Sequence, residues 1–394
     1  MRPGFLALGW LLAPLCASEA SDWSRWRGPD GTGISAEKDW KPQALAAGPK
    51  IKWKTNVGVG HSSVSVAGKR LYTMGSQGGS DVVHCLDAET GKEVWRHSYP
   101  CPPGNYEGPR ATPVLDGDLV YTLSREGQAL CLEAATGKVK WQKNLVRDYG
   151  AANISWGMAG SPLVFNNTVI YNARAHGLAL DKATGEKVWE SGGGQCGYAA
   201  PVRFTHNGKE CVALSGFKDV FVVDAQSGEK LYSHPWVTQY DVNAADPVYF
   251  DGKLFVTSGY SHGCVLLDIS GKQAKVLWES REMSGHFASP IYLDGHLYGV
   301  DGNTGTGQLR CLDARTGNVK WTQRGGFENL MMAAGRIIAI DKKGVLTVLE
   351  TSGKETAKAT VLNGKTKNWT APVLANGFIY CRNSDGDLVV VDVR

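Results

Sequence analysis

Short stretches of alternating apolar and polar residues recur along the chain, and this two-residue period predicts β-strands rather than helices. Within 112–124, 246–259 and 289–302, two such stretches flank an Asp-Gly pair. Asp-Gly between alternating stretches is typical of a β-hairpin, because glycine readily adopts the left-handed backbone of a tight turn. The pattern therefore predicts an all-β protein assembled from hairpins.

An eleven-residue unit repeats through these hairpins, with an acidic residue, a Thr-Gly or Ser-Gly turn and then an aromatic residue. Its clearest copies are CLDAETGKEVW (85–95), CLEAATGKVKW (131–141), ALDKATGEKVW (179–189), VVDAQSGEKLY (222–232) and CLDARTGNVKW (311–321). The anchoring acidic residues of eight copies are Asp87, Glu133, Asp181, Asp224, Asp268, Asp313, Glu350 and Asp392. They are 37 to 48 residues apart, close to the period of about 40–50 residues of a four-stranded propeller blade.

The two ends of the chain complement each other. The last copy stops after three predicted strands, and KIKWKTNV (50–57) matches KVKWQKNL (138–145), the fourth strand of an internal copy. We therefore expect an eight-bladed β-propeller of four-stranded antiparallel blades, closed by an N-terminal strand that completes the C-terminal blade. Such closure removes exposed strand edges. Seven blades is the alternative, because the copy at 329–362 is short and lacks the tryptophan.

Equivalent positions in successive copies of the repeat predict packing rather than chemistry. We expect the aromatic residue of each copy to bury against the neighbouring blade. Cys85, Cys131 and Cys311 occupy equivalent positions, which places them in separate blades, too far apart for disulfides. The cysteines are therefore expected to be buried as small apolar residues.

The N-terminus predicts export. Residues 1–20 have the form of a signal peptide, with Arg2 before the apolar stretch 5–15 and small residues up to Ala20. Cys16 follows a leucine where a lipidation site requires a small residue, so a lipid anchor is not expected. The predicted organisation is a signal peptide (1–20), an extended lead segment (21–50) and the propeller (51–394), exported to the periplasm or outside the cell as a monomer.

The net charge and the hydropathy of the chain limit the classes of partner that it can be expected to bind. The chain has 394 residues and a net charge of +4, without the concentrated basic patch that nucleic acid requires. After the N-terminal stretch, no segment has the length and apolar character of a membrane span. The expected partner is therefore a protein or a small molecule.

The repeat resembles the tryptophan-docking repeat of pyrroloquinoline quinone (PQQ)-type propellers, with ALDKATGEKVW (179–189) as the best copy. WSRWRGPDGTGIS (23–35) is similar to the lead of secreted PQQ-repeat proteins. This resemblance implies one of two branches. One is the non-catalytic propeller lipoprotein of the outer-membrane β-barrel assembly machinery, and the other is the PQQ-dependent alcohol or sugar dehydrogenases.

The resemblance also implies different cofactors for the two branches. The dehydrogenases hold PQQ with calcium below a disulfide between adjacent cysteines, whereas this chain has no Cys-Cys pair and nearly minimal blades. A scaffold without a cofactor and without enzymatic activity is therefore the leading hypothesis, and a PQQ-dependent dehydrogenase with a reduced pocket is the alternative. A hydrolase or lyase is a third hypothesis.

In a propeller, the loops that enter the innermost strands surround the mouth of the central channel, where ligands favour concave sites. Counting back from the prolines that open these strands gives a ring of positions that includes Met158, and Trp156 lies close to it in sequence. The predicted mouth residues are His61, Arg110, Trp156, Tyr198, Asn243, His286, Asn329 and Trp369. Aromatic, amide and guanidinium groups together suit a planar or anionic ligand. Asp241 and Glu328 are candidate bases, or calcium ligands with Asn243. No other metal site is predicted.

Overall fold

The structure is a computed structural model that describes residues 21–394. The expected signal peptide, including Cys16, lies outside the described residues. The N-terminal part contains β1 (Ile34–Ser35), the short helix α1 (Gln43–Ala46) and β2 (Lys50–Asn56). Nearly all of the remaining regular structure is short antiparallel strands, so the prediction of an all-β protein is confirmed.

Consecutive strands pair in chain order to form four-stranded blades. Blades 1 and 2 contain β3 (Ser65–Ala67), β4 (Arg70–Gln77), β5 (Ser80–Asp87), β6 (Glu93–Pro100), β7 (Val114–Asp116), β8 (Leu119–Leu123), β9 (Gln128–Glu133) and β10 (Val139–Asn144). After helix α2 (Leu145–Tyr149), blade 3 contains β11 (Leu163–Phe165), β12 (Thr168–Tyr171), β13 (Leu178–Asp181) and β14 (Lys187–Glu190). Blade 4 contains β15 (Val202–His206), β16 (Lys209–Ser215), β17 (Asp219–Asp224) and β18 (Lys230–Pro235).

The 3-10 turn Gln239–Asp241 precedes blade 5, which contains β19 (Val248–Phe250), β20 (Lys253–Ser258), β21 (Gly263–Asp268) and β22 (Lys275–Ser280). Blades 6 and 7 contain β23 (Ile291–Leu293), β24 (His296–Asp301), β25 (Gly307–Asp313), β26 (Val319–Ala333), β27 (Arg336–Asp341), β28 (Val345–Glu350) and β29 (Glu355–Thr360). The C-terminal strands are β30 (Val373–Ala375), β31 (Phe378–Arg382) and β32 (Asp387–Asp392).

Strand β26 belongs to two blades. Its first half pairs with β25 of blade 6, and its second half pairs with β27 as the first strand of blade 7. Gly326, with a left-handed φ of 68°, lies between the two halves. Because no separate loop joins these blades, the spacing between repeats is shortest here. This short copy is the reason that the sequence also allowed a seven-bladed propeller.

The N-terminal strand completes the C-terminal blade. Strand β2 pairs antiparallel with β32, with Trp53 opposite Val390 and Thr55 opposite Leu388. Within residues 21–394 this pairing makes an eighth set of four strands, blade 8, in the order β30, β31, β32, β2.

The aromatic residue of the repeat docks on the next blade, as predicted. In blade 1, the indole N–H of Trp95 donates to the Ala134 carbonyl of blade 2 at 2.9 Å. The ring lies over Gly137, where a β-carbon would approach to 2.5 Å. The same pairing recurs in Trp53–Gly91, Trp141–Gly185, Trp189–Gly228, Trp278–Gly317 and Trp321–Gly353. The turn glycine therefore leaves room for the tryptophan as well as adopting positive φ.

The acidic residue of the repeat closes the turn rather than performing chemistry. The Asp87 carboxylate accepts hydrogen bonds from the Thr90 hydroxyl and from the backbone N–H groups of Thr90 and Glu89. These bonds hold the pKa of Asp87 below its usual value. All eight cysteines of the described residues are buried and unpaired, as expected.

The lead segment runs through the channel along the first strands of the blades. Trp23 forms a backbone bridge with Val66 of β3, and the Ser24 carbonyl accepts the N–H of Leu115 in β7. Farther along, β1 pairs in parallel with the second half of β26. The first strands therefore surround residues 23–35, and the channel is filled on that side.

Candidate functional site

One cavity of about 360 Å³ lies at the channel end where loops join the last strand of each blade to the first strand of the next. We call these loops the junction loops. All eight blade junctions contribute lining residues, seven through their loops and the junction of blades 6 and 7 through Asn329 of β26. The lining includes His61, Tyr106, Arg110, Trp156, Tyr198, Ala244, His286, Phe287, Asn329 and Trp369. The cavity is therefore a product of the whole ring.

Hydrogen bonds between residues just before the first strand of each blade tie neighbouring junction loops together. The side chain of one residue accepts the backbone N–H of its counterpart in the preceding blade: Ser63 to Thr112 (3.1 Å), Thr112 to Ser161 (2.8 Å), Ala200 to Asp246 (2.8 Å) and Asp246 to Ser289 (2.9 Å). These bonds hold the loops in register, so the cavity is largely formed before a ligand arrives.

Aromatic side chains line most of the mouth in a continuous series of contacts, which we call the aromatic rim. Ring-centroid distances along it are 5.6 Å for Trp156–Tyr106, 5.8 Å for Tyr106–Trp369, 5.0 Å for Trp369–Phe287, 3.8 Å for Phe287–His286, 4.8 Å for His286–Tyr260 and 5.2 Å for Tyr260–Tyr240. Such faces and edges suit a flat apolar or aromatic ligand.

Three tyrosines of the rim have a left-handed backbone, with φ of 53° at Tyr106, 64° at Tyr240 and 57° at Tyr260. That conformation costs a residue with a side chain about 1–2 kcal/mol. Of the ten other non-glycine residues of 21–394 with positive φ, six are Asn or Asp, and the rest are Arg27, Arg174, Ser261 and Ala334. Strain in bulky residues concentrates at ligand-binding and catalytic sites, so its occurrence in the rim supports a binding role.

Two histidines of the lining are uncharged at neutral pH. Burial lowers the pKa of His61 to about 3, with help from the nearby positive charges of Arg110, Arg382 and Lys367. Burial lowers the pKa of His286 to about 4. Both imidazoles therefore act as neutral aromatic and hydrogen-bonding surfaces.

The lead segment forms the floor of the cavity. The indole N–H of Trp26 donates to the Asp246 carboxylate at 2.6 Å, and Arg27 lies 3.9 Å from the same oxygen. Arg27 also donates to the carbonyls of Ser289 and Pro290. Burial raises the pKa of Asp246, and the charge of Arg27 opposes that shift.

Trp26 and Asp246 line the cavity but were not among the mouth residues predicted from the sequence. Asp246 stands before Pro247, where the equivalent residues of other blades are Thr112, Ser161 and Ser289. A carboxylate in place of a hydroxyl was a signal that this position has an additional partner. Nothing local to Trp26 indicated that its partner lies 220 residues away.

The structure brings seven of the eight predicted mouth residues to the cavity: His61, Arg110, Trp156, Tyr198, His286, Asn329 and Trp369. Asn243 is instead buried behind the wall, where its amide donates to the Gly216 carbonyl at 3.0 Å. The backbone carbonyl of Asn243 accepts the backbone N–H of Tyr198 at 2.9 Å. Asn243 therefore positions Tyr198 and does not line the cavity.

The two candidate bases also lie outside the cavity lining. Glu328 is buried, its Oε1 accepts the backbone N–H of Gly305 at 2.8 Å, and burial raises its pKa to about 7. Asp241 ends the 3-10 turn beside Tyr240.

The PQQ–calcium group of the dehydrogenase alternative fits this site in part. The flat walls and Arg110 suit a planar anion. Among the described lining residues, however, the carboxylate is that of Asp246, and its two oxygens accept Ala200 N–H and Trp26 Nε1–H. An oxygen cluster suited to calcium is not offered by these residues, so the calcium part does not fit.

A sequence model of the family described as outer membrane protein assembly factor BamB matches residues 30–109, 80–323 and 305–394. The chain belongs to this family. BamB of Yersinia pestis is 22% identical over 317 residues, which are 75% of this chain and 77% of the relative. Quinohemoprotein alcohol dehydrogenase of Comamonas testosteroni is 30% identical over 121 residues, which are 27% of this chain and 16% of the enzyme.

Solved structures show the same fold. BamB from Moraxella catarrhalis has a TM-score of 0.62 at 17% identity, covering 86% of this chain and 98% of that protein. The Comamonas testosteroni dehydrogenase has a TM-score of 0.70 at 14% identity, covering 95% and 80%. The chain is thus a PQQ-like β-propeller that resembles BamB. None of the helices in residues 21–394 is both long and apolar enough to cross a membrane.

Proposed function

We propose that this chain is an exported binding scaffold whose channel-mouth cavity holds a flat chemical group. That group is either a free small molecule or part of a protein partner. The observation that carries the proposal is the cavity itself, to which all eight blade junctions contribute and which the lead segment closes from below.

Its dimensions and walls support this function. Ligand sites are commonly clefts of about 300–1,000 Å³ with mostly apolar walls and a few polar groups, and this cavity of about 360 Å³ has aromatic walls with Arg110, Asn303 and Asn329. The rim also extends outward, since Trp156 is 38% exposed and Tyr240 is 64% exposed. A group carried on a larger partner could therefore enter without moving the blades.

Calorimetric titration of the mature protein with a panel of flat ring compounds tests the proposal. We expect at least one to bind with 1:1 stoichiometry, and Trp156→Ala and Phe287→Ala to weaken binding about tenfold or more. Tyr292→Ala is the matched control, because Tyr292 stacks on Phe250 away from the cavity. Binding that survives both cavity variants, or a panel without a single binder, would contradict the proposal.

Export is part of the same proposal. The form of residues 1–20 supports it, as does membership of a family described by its role in outer membrane protein assembly. Mass spectrometry of the protein from a fractionated native host should find it in the periplasm or the medium, beginning at Ser21. Recovery from the cytoplasm with residues 1–20 attached would contradict export.

A PQQ-dependent dehydrogenase is the second candidate, favoured by the flat-walled cavity and by the fold shared with a quinohemoprotein dehydrogenase. Reconstitution with PQQ and calcium tests it through the quinone absorbance and through dye reduction with alcohols and sugars. Stoichiometric binding with turnover would establish the enzyme. Binding without turnover would support the scaffold function over the enzyme.

A further inference from the structure

We propose that the cavity selects an aromatic carboxylate, and that cationic side chains of this chain neutralise its charge without a bound divalent cation. The inference rests on the proposed binding function and specifies the chemistry of the ligand. It follows from the distribution of charge and of hydrogen-bonding groups around the cavity.

Three cations lie in or close behind one flank of the cavity, and within residues 21–394 none of them forms an ion pair with a carboxylate. Arg110 donates from Nη2 to the carbonyl of Tyr106 at 2.7 Å and from Nη1 to that of Gly108 at 3.1 Å. The ammonium of Lys367 lies 4.2 Å from the ring centroid of Tyr106 and 4.6 Å from that of Trp369. Carbonyls and aromatic faces orient these groups without neutralising them. The carboxylates of Asp81 and Glu126 offset part of the Arg110 charge from beyond ion-pair distance.

Arg382 is the third cation and is completely buried behind the wall. It donates to the carbonyls of Ser62 and Gly58 and to the hydroxyl of Thr73. Within residues 21–394, none of Arg110, Lys367 and Arg382 forms an ion pair with a carboxylate. Their charges therefore add to a positive field at low dielectric, where electrostatic interactions are strong.

The positive charges of Arg110, Lys367 and Arg382 all act on His61, which lies in the cavity wall. Its imidazole stacks on Trp369 with centroids 4.9 Å apart. Burial is the main cause of its low pKa, and Arg110, Arg382 and Lys367 each lower it further. The floor adds no net charge, because Asp246 lies against Arg27.

The amide and carboxylate oxygens of the lining are already engaged. The Asn303 oxygen accepts the N–H of Tyr260 at 2.8 Å, and the Asn329 oxygen accepts the N–H of Leu330 at 2.9 Å. Asp246 is already engaged by Trp26 and Ala200. Donors and cations remain available, including the amide N–H groups of Asn303, so the complementary ligand is rich in acceptors and negatively charged.

An aromatic ring bearing a carboxylate meets both requirements, since its flat face suits the rim and its charge suits the cationic flank. Two sources have this chemistry: a free aromatic acid, and the C-terminal aromatic residue of a peptide. Matched compounds that differ only in charge distinguish the chemistry, and matched peptides distinguish the source.

The test is calorimetric titration of the mature protein in EDTA with 2-naphthoate and with its neutral analogue 2-naphthamide. We expect 2-naphthoate to bind about tenfold or more tightly, with the advantage shrinking as salt is added. Lys367→Gln should lower the affinity for 2-naphthoate much more than that for 2-naphthamide and so remove most of that advantage. Lys365→Gln, two residues away, is the control and should change neither.

A second variant, Arg110→Gln, and a peptide pair complete the experiment. Arg110→Gln should lower the affinity for 2-naphthoate more than that for 2-naphthamide, with the circular dichroism spectrum reporting the fold. Gly-Gly-Trp binding more tightly than its C-terminal amide would indicate a peptide source, while tight binding of 2-naphthoate alone would indicate a free acid. Either result supports the inference.

Equal affinities for acid and amide in the parent protein would overturn the inference, as would a carboxylate preference that appears only with calcium. If both compounds bind equally and Phe287→Ala weakens both, the binding function stands and the charge selectivity fails. If neither compound binds, the selection of an aromatic carboxylate is wrong, and the wider panel decides the binding function separately.

Discussion

At the scale of single residues, Gly137 lies against the face of Trp95, and its missing side chain leaves room for the ring. A β-carbon there would be 2.5 Å from the indole, and the φ of 72° is left-handed. Gly117 in the same blade also has a left-handed φ, of 56°, but has no atom within 4 Å of an added β-carbon. Comparing the two glycines therefore separates the effect of packing on the free energy of unfolding from the effect of backbone conformation.

We expect Gly137→Ala to lower the free energy of unfolding by about 2–4 kcal/mol, because steric overlap adds to the backbone cost. Gly117→Ala should cost only about 1 kcal/mol. Urea denaturation followed by tryptophan fluorescence measures both. Equal losses would show that the glycine serves the turn alone.

Glu328 predicts a pH dependence of stability. Burial raises its folded-state pKa from 4.5 to about 7, so the folded state binds more protons than the unfolded chain between these values. The free energy of unfolding contributed by this group therefore falls as pH rises from 4.5 to 7, by about 1–3 kcal/mol.

Denaturation of the parent and of Glu328→Gln at pH 5 and pH 8 tests that sign. Glutamine cannot ionise, so the variant should gain stability relative to the parent at pH 8 compared with pH 5. The difference between the two proteins removes the contribution of other titrating groups, such as Asp81, whose pKa burial raises to about 6. A difference that does not change with pH would contradict the assignment.

At the scale of elements, the lead segment acts as a structural part of the ring. Trp26 and Arg27 connect it to Asp246 of the junction between blades 4 and 5 and to the start of blade 6. Sequence patterns indicated only an extended segment, because it has neither the repeat nor an alternating pattern. Its position depends on partners supplied by distant blades.

We expect Asp246→Ala to lower the free energy of unfolding by about 3–5 kcal/mol, because it leaves the buried Arg27 charge unpaired. Adding Arg27→Met should recover part of that loss, since the double variant has no buried charge there. Asp30→Ala changes an exposed lead-segment carboxylate and should cost less than about 1 kcal/mol. Chemical denaturation distinguishes the three, and strictly additive losses would refute the coupling.

At the scale of the whole molecule, strand β2 joins the two ends of the chain. Trp53 on that strand donates its indole N–H to the Ala88 carbonyl of blade 1 at 2.9 Å and lies over Gly91. It therefore occupies between blades 8 and 1 the place that Trp95 occupies between blades 1 and 2. Closure is thus made by the same tryptophan–glycine contact that joins five of the other blade pairs.

Trp53→Ala should consequently destabilise the protein about as much as Trp95→Ala, by about 3–5 kcal/mol. Ile51→Ala on the same strand is the control, because Ile51 is 42% exposed and should contribute less than about 1 kcal/mol. The comparison uses the midpoints of urea denaturation. A small effect of Trp53→Ala would mean that the ring does not depend on its closing strand.

The blades could be predicted from sequence because each one depends on residues that are near one another along the chain. Asp87, Thr90 and Gly91 form a turn within five residues, and the aromatic side chain docks on the next copy. The prediction of mouth residues names seven that line the cavity, since a proline marks where most junction loops enter their strand. It failed at Asn243, because backbone position alone does not determine which way a side chain points.

The sequence alone therefore determined the repeating unit, the closing strand and the residues near the channel mouth, since local hydrogen bonds and nearest-neighbour packing specify them. The tertiary structure decided the cavity, its floor and its charge. Trp26 reaches Asp246 across 220 positions, and the cationic flank combines side chains of blade 8 and two separate junction loops. Contacts of that range are set by closure of the ring, which brings together residues that no local pattern relates.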